Sequence, residues 1–305
     1  MKNLIKIIKE AEKNKVAVGH FNISDLTGLK AIFEAARELS SNGACLSARQ
    51  GSAFDGKVPV IIGTSDGEAD FVGRYQVAAL VKSLRDQYRF PIFLNSDHTH
   101  ELKDVEISAY AGYDAVISDG SKLGFEDNIK NTKKAVDLVR KIDKNILVEG
   151  ELGYIGSSSK ILDKLPEGAA INPKDLTKPD LAAKFVKKTG VDLLAPAVGN
   201  LHGMFRGAKN PDLDIARIKA IKKAVGIPLV LHGGSGTKDQ DFILAIKAGI
   251  SVIHINTEIR VAWREGIEKG LKSMPQEITP YKVLPEAVAA MKKVVLERLR
   301  LFNGC

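Results

Sequence analysis

Three of the six histidines in this chain stand where short apolar runs give way to glycine or polar residues: His98 in PIFLNSDH, His202 in GNLHG and His232 in LHGGSG. Neutral imidazoles converging from separate segments form a cage for Zn²⁺ or a similar borderline divalent ion, with one position left open for a substrate. A single histidine of this kind reads as a hydrogen-bonded structural residue, whereas three in matching contexts read as ligands. Carboxylates accompany them. Asp97 precedes His98, Asp119 follows AVIS, and Glu149 and Glu151 alternate in ILVEGEL. A strand repeats every two residues, so both glutamates share one face. Asp119 and Glu149 fit equally as direct ligands or as hydrogen-bond partners of the ligands. Gly233, Gly234 and Gly236 around Ser235 let backbone N–H groups approach an anion, and Asn256-Thr257 offers a second such end. Taken alone, the glycines fit a tight turn as well.

These residues need elements that bring them to one place. Eight short apolar runs read as strands: Val16 to Asn22, Pro59 to Ser65, Pro91 to His98, Ala115 to Ser121, Ile146 to Leu152, Leu193 to Asn200, Pro228 to Ser235 and Val252 to Thr257. Segments with apolar residues three and four apart separate them, such as Leu29, Ile32, Phe33, Ala36 and Ile215, Ile218, Ile221, Ala224. This alternation indicates βαβ units and a parallel sheet, and eight units predict an α/β fold, a single (β/α)8 barrel spanning residues 1–305. An extra N-terminal helix (Ile5 to Lys13) and a C-terminal helical extension (Pro285 to Phe302) predict a barrel plugged at one end and extended at the other. In such a barrel the strand ends converge on one face, where chemistry is found. Residues 40–57 read as a long loop without a legible role, and residues 153–179 as a segment over the mouth.

Composition narrows the class. With 44% hydrophobic and 27% charged residues the chain is ordinary globular protein. No segment approaches ~18 uninterrupted apolar residues, and the N-terminus alternates charge with aliphatics where a signal peptide has an apolar core. A membrane partner and secretion are therefore not expected. Two cysteines, Cys45 and Cys305, with no C-x-x-C pair, fit a reducing cytoplasm. The charge of +8 is spread over amphipathic segments without interleaved aromatics, which argues against nucleic acid and suits phosphate esters.

In order and spacing these motifs resemble the class II, metal-dependent fructose-bisphosphate aldolase family, which includes the tagatose-bisphosphate aldolases. The likeness runs nearly end to end: AVGHFN, NSDH, VEGELG, NLHG, LHGGSG and INTE each match a family signature. It implies a (β/α)8 barrel whose zinc, or another divalent metal, stabilises the enediolate of a ketose phosphate, so that a ketose 1,6-bisphosphate is cleaved to dihydroxyacetone phosphate and glyceraldehyde 3-phosphate. By position it makes His98, His202 and His232 the metal ligands, with Glu151 and Asp119 matching acids that serve a displaced or second metal. Asp97 becomes the acid/base at the C4 hydroxyl. Asn22, Ser65 and Asn256 would contact substrate, and Gly203, Gly233, Ser235 and Thr257 would bind its phosphate or a monovalent cation beside it. Arg260 would meet the distal phosphate, and a homodimer or homotetramer is implied.

Three departures from the family pattern bear on the substrate. The Gly-Gly-acid stretch expected after the fifth strand is replaced by GYIGSSSK, which leaves Asp163 or Glu167 to reach in, or Ser158 and Ser159 to act by binding only. His254 stands where the strand-eight motif begins with Asn, and His20 occupies a position that is usually small. The alternatives are another ketose-phosphate aldolase, acting on tagatose bisphosphate or a related sugar, an epimerase on the same metal site, and a catalytically silent sugar-phosphate-binding barrel.

Overall fold

The computed structural model describes residues 3–41, 54, 56–156, 159–164, 166–169, 172–206 and 210–305. Eight parallel strands close into a barrel in sequence order, the eighth pairing with the first: Val18–Asn22, Val60–Ser65, Ile92–Thr99, Ala115–Ser118, Leu147–Leu152, Leu193–Pro196, Leu229–Leu231 and Ile250–Ile255. Every run read as a strand from the sequence is one, and helices connect them on the outside as a (β/α)8 fold requires. The three-and-four spacing buries Leu29, Ile32, Phe33 and Ala36 of the helix Leu26–Ser41 against the barrel wall, and Ile218 and Ile221 of the helix Ile215–Val225 likewise.

The barrel interior is layered, because alternate residues of each strand face inward. Its lowest layer is apolar: Val18, Ile61, Phe93, Ala115, Leu147, Leu193, Val230 and Val252 pack together with Leu4, Ile7, Ile8 and Ala11 of the N-terminal helix Leu4–Lys13. That helix plugs the bottom, as the reading of an extra helix before the first strand predicted. Two residues further along the strands, the same inward faces carry His20, Asn95, Glu149, His232 and His254, all buried. Two residues further again come Asn22, Ser65, Asp97 and Glu151. The apolar floor therefore carries a polar upper half that opens at the C-terminal ends of the strands.

The C-terminal helix Pro285–Asn303 lies across the helices Leu26–Ser41 and Thr257–Ser273 and buries Val295, Leu299 and Phe302. Several elements have no counterpart in the sequence reading, among them the helices Thr257–Ser273 and Pro280–Val283. A seven-residue helix, Asp66–Val72, follows the second strand and is started by a capping box in which Ser65 and Glu68 bond each other's backbone. Within the segment placed over the mouth, Ile161–Leu162 pairs with Met204–Phe205, which ties it to the loop after the sixth strand. Of the loop at 40–57, residues 42–53 and 55 lie outside the described residues. Cys305 is disulfide-bonded, so the cysteines lend no support to a reducing compartment. Among the described residues no helix is long and apolar enough to cross a membrane.

Candidate metal centre and phosphate site

Strict alternation would send Asp97 and His98 to opposite faces of their strand. The pairing of the third and fourth strands shifts between Ser96 and Thr99, and His98 takes a left-handed backbone (φ 51°). This bulge turns both side chains toward the barrel mouth, a use of irregular strand geometry common at active sites.

His98, His202 and His232 each bring one ring nitrogen within 4.8 Å of the others. His98 donates from Nδ1 to Asp119 Oδ2 at 2.9 Å, with Glu151 Oε2 3.3 Å away, and His232 donates from Nε2 to Glu149 Oε1 at 2.7 Å. Across the cluster His98 Nε2 and His232 Nδ1 face each other at 3.1 Å, a contact in which one proton is shared when either ring is charged. A divalent ion between them would take the place of that proton, and Zn–N bonds of about 2.0–2.1 Å would place tetrahedral ligand nitrogens roughly 3.3 Å apart. His202 Nε2 is buried without a partner on the same cluster. The donor set and its spacing thus fit a divalent cation, and Asp119 and Glu149 fit as the carboxylates that fix the imidazole tautomers.

The protonation equilibria express the same geometry. Burial opposes charge on His98, but Asp97, Asp119 and Glu151 outweigh it and raise its pKa well above the ordinary imidazole value. His232 is raised in the same way, with Glu149 overcoming burial. His202, buried beside these two rings, is pushed well below. Asp97 is buried, yet His98, His254 and His20 hold its carboxyl well below the usual range. Asn22 donates from Nδ2 to Asp97 Oδ2 at 2.8 Å, while Asp97 Oδ1 lies 3.3 Å from His254 Nδ1.

The residues read as phosphate contacts gather on the other side of the cluster. Gly203, Gly233, Ser235, Asn256 and Thr257 line one cleft with Asp97 and His202. Gly233 has φ 60°, and a Cβ there would lie 2.3 Å from the Leu201 carbonyl oxygen, so only glycine lets these two loops approach. Asn210 donates to the carbonyls of Gly203 and Ser235 at 3.0 and 2.9 Å and locks the loops together. Thr257 opens the helix Thr257–Ser273, whose N-terminal end favours an anion. The Gly236 N–H donates to Glu258 Oε1 at 3.0 Å, so that donor is already engaged.

Arg260 bonds Glu68 Oε1 at 2.6 Å and the Ser159 carbonyl at 3.2 Å, at the boundary between the metal cleft and a neighbouring cavity of about 550 Å³. Glu68 escaped the sequence reading. Its Oε2 also accepts from Asn22 Nδ2, Ser65 N and Ser65 Oγ, and the S-D-G-E capping pattern was the signal that could have revealed it. Of the residues considered for the missing loop acid, Asp163 turns to the surface and pairs with Arg206, and Glu167 is exposed. Ser159 lines the cleft, and Ser158 lies outside the described residues.

Residues 2–305 match the family model described as "Fructose-bisphosphate aldolase class-II". The chain is 32% identical to the "Probable fructose-bisphosphate aldolase" of Bacillus subtilis (strain 168), covering 99% of this chain and 97% of that one. It is also 32% identical to the "Fructose-bisphosphate aldolase" of Geobacillus stearothermophilus, covering 98% and 96%. Among solved structures, the YdjI aldolase from Escherichia coli K12 superimposes with a TM-score of 0.78 at 29% identity, covering 99% and 98% of the two chains.

Proposed function

The chain belongs to the class II fructose-bisphosphate aldolase family and is an aldolase, and we propose that it reversibly cleaves a ketose 1,6-bisphosphate, fructose 1,6-bisphosphate above all, to dihydroxyacetone phosphate and glyceraldehyde 3-phosphate. The observation that carries this reading is the convergence of one ring nitrogen each from His98, His202 and His232 within 4.8 Å, flanked by an ionised Asp97 and a glycine-lined cleft.

His98, His202 and His232 would hold a divalent metal, zinc by ligand type, with Asp119 and Glu151 available to a displaced or second ion. When bound, that ion supplies Lewis acidity to the negative charge that develops on the ketose carbonyl oxygen. Asp97 accepts the proton of the C4 hydroxyl as the C3–C4 bond breaks. Its surrounding imidazoles keep it ionised, Asn22 fixes Oδ2, and Oδ1 makes no hydrogen bond. Gly203, Gly233, Ser235 and Thr257 bind the phosphate next to the carbonyl, with room in the proposal for a monovalent cation beside it. Asn22, Ser65 and Asn256 orient the sugar, and Arg260 takes the distal phosphate by exchanging its Glu68 partner. The substrate carries two ionised phosphate esters and does not cross membranes unaided, which supports a cytoplasmic setting. Exposed Phe71, Ile278 and Tyr281 support a homodimer or homotetramer. One barrel domain spanning the chain is part of the same proposal.

The missing loop acid favours a second reading, in which the same metal and phosphate sites act on another ketose phosphate. Cleavage of fructose and tagatose 1,6-bisphosphates in a coupled assay, with metal-loaded protein, EDTA-treated protein and Asp97→Ala, separates them. EDTA-sensitive cleavage lost in the variant is expected. One tightly bound metal per chain with no cleavage of either sugar would overturn the bisphosphate reading.

A further inference from the structure

Cleavage of the C3–C4 bond leaves its electron pair on C3, as an enediolate, and that carbon must gain a proton before dihydroxyacetone phosphate can leave. The stretch GYIGSSSK after the fifth strand brings no carboxylate for this step, and Asp97 takes its proton at a different atom, the C4 hydroxyl oxygen. Among the described residues three carboxylates line the metal cleft: Asp66, Asp97 and Asp119. Asp119 is engaged at both oxygens, by His98 at Oδ2 and by the Ser121 N–H and hydroxyl at Oδ1. Asp66 is not committed in this way.

Asp66 follows Ser65, the register partner of Asp97, and so stands one residue beyond that carboxylate at the barrel mouth. Its Oδ1 accepts from Arg74 at 3.1 Å, while Oδ2 has only a long contact of 3.5 Å with the His100 N–H. Well-formed N–H···O bonds span about 2.7–3.2 Å, so one oxygen is anchored and the other is loosely held. Arg74 also pairs with Asp70 at 2.6 Å and Asp104 at 3.5 Å, which makes one cation serve three carboxylates. Burial raises the pKa of Asp66 above the usual carboxylate value, and Asp104 adds to the rise against the His100 N–H and Arg74. A cleft carboxyl that holds its proton more firmly than an ordinary aspartate is suited to acid and base work. His100 lines the same cleft, but its side chain is half exposed and its Nδ1 lies 3.4 Å from the Asp119 carbonyl oxygen.

We propose that Asp66 is the catalytic residue that delivers the proton to C3 in cleavage and removes it in synthesis, with Arg74 as the residue that positions it. This rests on the aldolase reading. In cleavage the carboxylic acid gives its proton to C3, the electron pair of the broken C–C bond forms the new C–H bond, and the carboxylate regains a proton from solvent. The proton that Asp97 took from the C4 hydroxyl returns to solvent, so both carboxyls end as they began.

The test separates the two halves of the reaction in zinc-loaded full-length protein. Exchange of dihydroxyacetone phosphate hydrogen in D₂O, followed by NMR, reads the C3 proton transfer alone. Hexacyanoferrate(III), which removes two electrons from the enediolate and yields a ketoaldehyde phosphate, reads cleavage of fructose 1,6-bisphosphate without that transfer. Asp66→Asn is expected to slow exchange and unassisted turnover about 100-fold or more, and hexacyanoferrate(III) to restore most of the cleavage rate. Asp66→Glu is expected to regain about tenfold of the exchange lost in Asp66→Asn, and His100→Gln to exchange within threefold of wild type. If Asp66→Asn loses zinc or its fold, Asp66→Ser takes its place with the same two readouts. Exchange within threefold of wild type in the Asp66 variant, an equal loss of exchange and intercepted cleavage, or a matching loss in His100→Gln would overturn the inference. So would a wild type that cleaves without exchanging, whereas a wild type that does neither would sink the aldolase reading itself.

Discussion

Glu149 is the most direct handle on whether this cluster is a metal site. Its Oε1 accepts from His232 Nε2 at 2.7 Å, and both residues are almost wholly buried, at 2% and 1% exposure. That bond commits a proton to Nε2 and leaves Nδ1 facing His98 Nε2 at 3.1 Å. Glu149→Gln keeps the shape and removes the charge. The amide can turn its NH₂ toward Nε2, which moves the proton to Nδ1 and blocks the ligand position, and in either orientation the imidazole becomes a weaker base. Loss of such an outer partner lowers metal affinity about 10- to 100-fold, or roughly 1.4–2.7 kcal/mol. The size of the loss depends on pH with a definite sign. Glu149 raises the His232 pKa against the opposing effect of burial, so in the wild type protons compete with the metal from a higher pH downward. Removing Glu149 lowers that pKa and relieves the competition. The affinity ratio between wild type and variant should therefore be largest near pH 8.5 and shrink toward pH 6. Competition of metal-free protein against a chromophoric zinc chelator at several pH values measures it. A zinc affinity within twofold of wild type at pH 8.5, in a variant with unchanged circular dichroism, would refute the assignment of His232 Nδ1 as a ligand.

Three other perturbations follow from the same geometry. Gly63→Ala drives a Cβ to 2.1 Å from the His20 ring; overpacking of this kind costs about 1–3 kcal/mol, so calorimetry should show a lower Tm, and an unchanged Tm would contradict the close packing of His20 on Gly63. In the metal-free protein His98 has a pKa raised above its unfolded value by Asp97, Asp119 and Glu151, so its stabilising contribution is complete below the unfolded pKa of about 6.5 and is lost as pH rises through the folded value. His98→Asn should flatten the fall in metal-free stability above pH 6.5 in denaturant titrations, and an unaltered slope would count against the ion-pair cluster. Arg260→Ala should raise KM for the bisphosphate about tenfold or more while leaving a ketose 1-phosphate little affected, and equal effects on both would remove Arg260 from the distal phosphate.

The barrel was legible because hydrophobic periodicity reports which face of an element is buried, and eight apolar runs separated by helical patterns leave few other ways to bury them. The strand-end histidines and the glycine loop were legible for a related reason: a parallel barrel sends all its C-terminal strand ends to one face. Glu149 was visible as a candidate, but spacing alone does not separate a metal ligand from the partner of one, since both roles use a carboxylate at the same position. Glu68 was obscured because its function is exercised through contacts to Asn22, Ser65 and Arg260, up to 192 positions away. The turn of His98 toward Asp97's side of the strand was also beyond the pattern. Period two predicts opposite faces, and a bulge is a local exception that leaves no compositional mark here.

That exception makes an adjacent Asp-His pair workable. If the third strand continued in regular register, either the Asp97 carboxylate or the His98 imidazole would point into the outer helices, and no substitution of side chains could restore both. The left-handed His98 costs on the order of 1–3 kcal/mol in a non-glycine residue, and the surrounding bonds must offset it: Asn22 to Asp97, His98 to Asp119, and Asp119 N to the Thr99 carbonyl at 3.0 Å. These bonds come from the first and fourth strand ends as well as from the third itself. The site is consequently a property of the closed barrel, and a fragment containing only the DHTH segment would retain neither the bulge nor the ligand geometry.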